Sequence, residues 1–175
     1  MWDELLLQGH KITGVSGSDS KGVDAPEKRA RVGYGSSATA VFAENLSRNA
    51  LTAALQAGHA YVRTLGVERS PALLFTAAAP NGTTGMFGDT VTANMNEPVR
   101  LTTTVTGGAN QLLTYLRNGQ VVLTVPITSA AFVHEFPAAF RAPAEGPLGT
   151  FWRIEVRDAR SRTAIGNPIF IRAPN

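Results

Sequence analysis

The sequence predicts a mainly β protein, with a C-terminal β-sandwich of immunoglobulin-like size at 68–175 preceded by a short α/β segment at 1–67. Three observations predict it. Beyond Pro71 the apolar period becomes two, as in Val99, Leu101, Thr103 and Val105, so that alternate side chains face one side of a sheet. Asn118-Gly119 separates two such runs and suits a hairpin turn with positive φ at both positions. Clusters of Gly, Pro and Asn divide the remainder into strand candidates at 72–77, 99–106, 112–117, 120–125, 131–136, 150–157 and 168–172, the spacing of a small antiparallel sandwich.

The first 67 residues read differently. Trp2, Leu5 and Leu6 recur at helical spacing and Gly9 supplies a stop, so 1–8 is a short helix. It leads into the apolar run 12–16, expected to be a strand of a parallel sheet whose neighbours are not visible in the chain. Residues 23–37 turn to Asp, Pro, Lys, Arg and Gly and read as an exposed loop; Gly33-Tyr34-Gly35-Ser36-Ser37 lacks the Lys-Ser/Thr ending of a phosphate loop. A short strand is expected at 39–42. Ser47 is placed to cap a helix running to Ala57, with Leu51, Ala54 and Leu55 inward and Gly58 ending it, and 60–64 returns as a strand.

Composition narrows the function classes. The 175 residues suffice for one good core, and 43% hydrophobic with 17% charged residues is the balance of a globular chain. Sixteen Lys and Arg against thirteen Asp and Glu leave a formal charge of +3. The basic residues are scattered, and Arg153, Arg157, Arg160 and Arg162 are interleaved with Glu155 and Asp158, which reads as a solvated strand face and turn and not as a nucleic-acid footprint. No apolar run has the length of a membrane span, and Met1-Trp2-Asp3-Glu4 opens with acid where a secretory leader carries Lys or Arg. Cysteine is absent, which excludes disulfides and thiolate metal sites and leaves the compartment undecided.

The stretch Ile12-Thr13-Gly14-Val15-Ser16-Gly17-Ser18-Asp19-Ser20-Lys21-Gly22 is the candidate site. A short apolar run delivering small residues and one carboxylate suits a strand end where a metal or substrate approaches closely. Equally, Ser18, Asp19 and Ser20 suit a polar turn. Gly14-Val15-Ser16-Gly17-Ser18 misses the spacing of a nucleophile elbow, and no acid-histidine pair is placed to activate the serine. His10 stands at the other end of the run from Asp19, His59 follows the helix stop and is placed to cap its carbonyls, and His134 beside Glu135 in a strand faces the opposite side. Asn45-Leu46-Ser47 and Asn81-Gly82-Thr83 fit a glycosylation pattern that matters only in a secreted eukaryotic setting.

Gly9-His10-Lys11-Ile12-Thr13-Gly14-Val15 followed by Gly17-Ser18-Asp19-Ser20 resembles the last metal-binding segment of PHP-type metal-dependent hydrolases, in the carbaryl hydrolase-like branch. Three later stretches fit the same branch: Ala54 to Val62, Met86-Phe87-Gly88-Asp89-Thr90, and Ala164-Ile165-Gly166-Asn167-Pro168-Ile169-Phe170. The resemblance implies that 1–67 is the C-terminal remnant of a PHP-type α/β barrel and 68–175 an accessory sandwich. It implies that Asp19 is a metal ligand, with Ser18, Ser20 and Lys21 lining the site. The family carries histidine where this chain has Lys21, and an ammonium group cannot ligate a metal as imidazole does. The other family ligands lie upstream of this stretch, so a divalent metal is expected in the intact family enzyme and none in this chain, which is inactive by itself and has no catalytic residue of its own. In the complete enzyme, metal-activated water would attack a phosphoric or carbamic ester. The expected partners are the missing N-terminal barrel portion or a second copy, with no nucleic acid and no membrane. The alternative is a non-catalytic sandwich module that binds or assembles with a protein or saccharide.

Overall fold

The computed structural model describes residues 1–19, 34–94, 96–139 and 147–174. They form a mainly β protein of two sheets that share one core, a sandwich-like arrangement. The elements in chain order are helix α1 (Trp2–Leu7), β1 (Ala38–Val41), α2 (Arg48–Ala57), β2 (Ala60–Arg63), the single turn α3 (Gly66–Arg69) and β3 (Ala72–Ala78). They continue with β4 (Thr84–Met86), β5 (Thr90–Thr92), β6 (Pro98–Thr106), β7 (Leu112–Arg117), β8 (Gln120–Pro126), β9 (Ala131–Ala139), β10 (Thr150–Arg157), β11 (Arg162–Gly166) and β12 (Ile169–Arg172). The period-two runs became strands where they were expected. The three strands not foreseen, β4, β5 and β11, have three to five residues each, too few for alternation to register.

The smaller sheet has the order β4-β3-β6-β9, all antiparallel. In the larger sheet β10 is central: it pairs with β7 on one side, and on the other with β11 along one half and β12 along the rest. Register shifts by one residue between those halves, so β11 and β12 are one returning strand interrupted at Asn167-Pro168. Its outer edge pairs antiparallel with β2 through the β11 half and parallel with β5 through the β12 half. Through β2 and β1, residues on both sides of position 67 join one sheet.

Leu73, Phe75, Val99 and Leu101 of the smaller sheet meet Leu113, Tyr115, Trp152, Ile154 and Ile169 of the larger, all buried. The Asn118-Gly119 turn has φ of 49° and 81°, the positive pair expected of that hairpin. Ser47 caps α2 by accepting a hydrogen bond from the Ala50 N–H, and Gly58 ends it at φ 82°. Leu51 and Leu55 are half-buried and Ala54 buried, the face expected.

α1 is six residues long, too short to persist unaided. It ends in a Schellman motif, with Gly9 N–H donating to Leu6 O and His10 N–H to Leu5 O. Leu6 buries itself against Phe151 and Phe170 on the outer face of the larger sheet, forming a second small core there.

Candidate functional site

The run 12–16, expected to be a strand inside a parallel sheet, forms no ladder with any strand. Residues 11–19 instead cross the outer face of the larger sheet as a strap held by side chains. Trp2 Nε1 donates to Ile12 O at 3.1 Å. Gly14 N–H donates to Asn167 Oδ1 at 2.7 Å, while Asn167 Nδ2 donates to Gly14 O at 3.2 Å and to Ala60 O at 2.7 Å. Ser16 N–H donates to Thr39 Oγ1 at 2.8 Å, and the Thr39 hydroxyl donates back to Ser16 O at 2.8 Å. The strap's ladder partners are thus side chains of Asn167 and Thr39, which is why a strand pattern in the sequence produced no strand.

Residues 12, 14 and 16 turn their backbone groups to the body. In extended chain the intervening residues point theirs to the opposite edge. There, Val15 and Gly17 have no hydrogen-bond partner among the described residues, and Val15 is 62% exposed. The strap therefore has one occupied edge and one open edge. Asp19 is its last residue, exposed, with φ 48°, a conformation Asp tolerates. Ser18 is half-buried. Ser20 and Lys21, and with them the expected Asp19–Lys21 ion pair, lie outside the described residues.

Between α1, the strap and the sheet is a cleft of about 630 Å³ lined by Trp2, Ser16, Thr64, Arg153, Glu155 and Arg162 among others. Its floor corrects the expectation of a solvated basic face. Arg153 and Glu155 are each only 6% exposed. Arg153 Nε and Nη2 bind both oxygens of Asp3 at 2.8 and 2.7 Å, its Nη1 binds Glu155 Oε1 at 2.6 Å, and Arg162 Nε binds Glu155 Oε2 at 2.5 Å. Burial works against the Arg153 charge, but hydrogen bonds and charge from Asp3 and Glu155 outweigh it and raise its pKa. Trp2 lies over the guanidinium, 5.4 Å from ring centroid to Cζ. Asp158, in the following turn, is held below the usual carboxylate range by the Ser161 and Arg160 backbone N–H groups.

The histidines stand apart. His59 does not cap α2 with its ring; its Nε2 pairs with Asp89 Oδ1 at 2.8 Å, joining the α2–β2 turn to the start of β5. His134 faces inward and Glu135 outward, as alternation requires. The Tyr115 hydroxyl donates to Thr103 Oγ1 at 2.9 Å and lies 3.0 Å from His134 Nδ1. Burial pushes the Tyr115 hydroxyl up to about 12 and lowers the pKa of His134. His10 is exposed.

Among the described residues no three His, Asp or Glu side chains converge. A metal centre needs about three protein ligands, and Asp19 stands alone, so the described donor set does not fit a complete one. Compared with known proteins, the chain matches no family model, no curated protein and no solved structure. The residues that hold the candidate segment, Asn167 and Thr39, were not singled out for that role by the sequence. The only sign of the first was an asparagine before proline within an apolar run.

Proposed function

We propose that this chain is the C-terminal portion of a PHP-type metal-dependent hydrolase of the carbaryl hydrolase-like branch, acting on a phosphoric, carbamic or related ester. In this reading Asp19 is one ligand of a divalent ion whose other ligands come from polypeptide outside these 175 residues, and the sandwich-like body is an accessory domain. One observation supports it above the others: the strap has its inner edge filled by side chains, its outer edge at Val15 and Gly17 without a hydrogen-bond partner among the described residues, and a solvent-exposed carboxylate at its end. Such an edge suits a neighbouring strand supplied from elsewhere.

Calorimetry tests the reading. The chain alone should bind neither Mn²⁺ nor Zn²⁺ at micromolar concentration. Co-purified with the polypeptide encoded immediately upstream, it should acquire Mn²⁺ binding that Asp19→Ala weakens at least tenfold. Micromolar binding by the chain alone, lost in Asp19→Ala, would overturn the incomplete-site reading. Failure of the upstream polypeptide to confer binding would overturn the hydrolase reading. A second reading, a non-catalytic binding or assembly module, draws support from β8 and β9. Among the described residues each has a single ladder partner, and they expose Val121, Val122 and Val133. A dimer in sedimentation equilibrium that dissociates on Val133→Lys would favour it.

A further inference from the structure

We infer that Asn167 is a positioning residue, setting the register of the Asp19-bearing strap from the break between β11 and β12; its role toward Asp19 rests on the hydrolase reading above. Asn167 is 2% exposed and uses its whole amide group. Oδ1 takes the Gly14 N–H, and Nδ2 serves the carbonyls of Gly14 and Ala60. An amide that both accepts from and donates to one residue reproduces what a neighbouring strand would offer there. The one-residue shift between β11 and β12 brings Asn167 to the point where the outer edge passes from β2 to β5, so neither strand occupies this place. Gly14 matches the arrangement: a Cβ there would lie 3.2 Å from both Asn167 Oδ1 and the Trp2 ring. A slip of the strap by one residue would turn the backbone groups of Thr13 or Val15 toward Asn167 and reverse which side chains face the body. Asp19 would move with it. Thr39 makes a second reciprocal contact two residues on, at Ser16, so the strap is fixed by two points in phase.

The test uses the full chain and follows amide exchange by NMR in wild type, Asn167→Ala and Gly14→Val, the last leaving the body's own side chains intact. Exchange at Gly14 and Ser16 should accelerate at least tenfold in both variants, while Tyr115 and Ile154 amides stay slow. Mn²⁺ at millimolar concentration, where a lone carboxylate is weakly occupied and well above the micromolar range in which the chain alone stays unbound, should broaden the amides of 17–19 in all three proteins. Thr39 and Arg63 should also be broadened in wild type, and that effect should be lost when the strap is released. Unchanged Gly14 exchange in both variants, or uniform acceleration throughout the body, would overturn the positioning role. Absence of Mn²⁺ broadening near Asp19 in wild type would instead overturn the metal-ligand part, leaving the exchange result to decide whether Asn167 holds the strap.

Discussion

The larger sheet presents two faces that are held in different ways. Inward, Tyr115, Trp152, Ile154 and Val156 meet the smaller sheet, and water exclusion over a continuous apolar surface holds the layers together. Outward, Arg153, Glu155 and Asn167 are also buried, but each is held by particular polar partners: Asp3 for Arg153, Arg153 and Arg162 for Glu155, and Gly14 for Asn167. The inner face tolerates exchange of one apolar shape for another of similar volume. The outer face depends on specific partners, and removing one leaves a charge or an amide stranded. The same strand, β10, contributes alternate residues to both.

Substitutions can test that contrast, beginning with the largest effect. Phe75→Ala, at a ring packed against Phe87 and Tyr115, should lower unfolding free energy by about 3–5 kcal/mol in urea titration. A loss below about 1 kcal/mol would mean the inner face is not a packed core. Arg153→Ala should cost about 3 kcal/mol because Glu155 stays buried without its buried partner, with only the exposed Arg162 left to it. The pair Arg153→Met with Glu155→Leu should recover most of that loss, and the contrast fails if the double variant is no better than the single. Ser47→Ala removes the α2 cap, away from both faces, and should cost about 1 kcal/mol in thermal unfolding.

The smallest effect is on pH dependence. His134 has its pKa lowered from 6.5 by burial, so the folded state prefers the neutral ring. The unfolded chain then binds more protons at acid pH. The associated stability is complete above 6.5 and is lost as pH falls below it through the lower folded value. Urea midpoints measured from pH 8 to pH 5 should decline across that window, and His134→Gln should flatten that part of the decline.

The inner face was legible because its information is local. Alternation at Val99, Leu101 and Val105 and the Asn118-Gly119 pair fix strand and turn within a few residues, and Ser47 with Gly58 brackets α2. The outer face was not, because its partners are far apart: Gly14 with Asn167, and Asp3 with Arg153. An arginine followed two residues later by glutamate looks like a wetted strand face until Asp3 is known to cover it. The run 12–16 has the composition of a strand and the extended form of one edge, but a ladder needs backbone opposite, and here side chains stand in its place. Asp19 is exposed, and the polar turn that the sequence suggests there runs into residues 20 and 21, which lie outside the described residues.

The central position of β10 governs the order of assembly. β1 with β2 and β7 with β8 can close as hairpin-like pairs early in synthesis, yet nothing joins them until residues 150–172 have emerged. Until then the nascent chain carries the smaller sheet and two strand pairs of the larger one, whose flanks have no ladder partner among the described residues. A premature stop near position 149 should therefore yield insoluble product rather than a shorter folded protein.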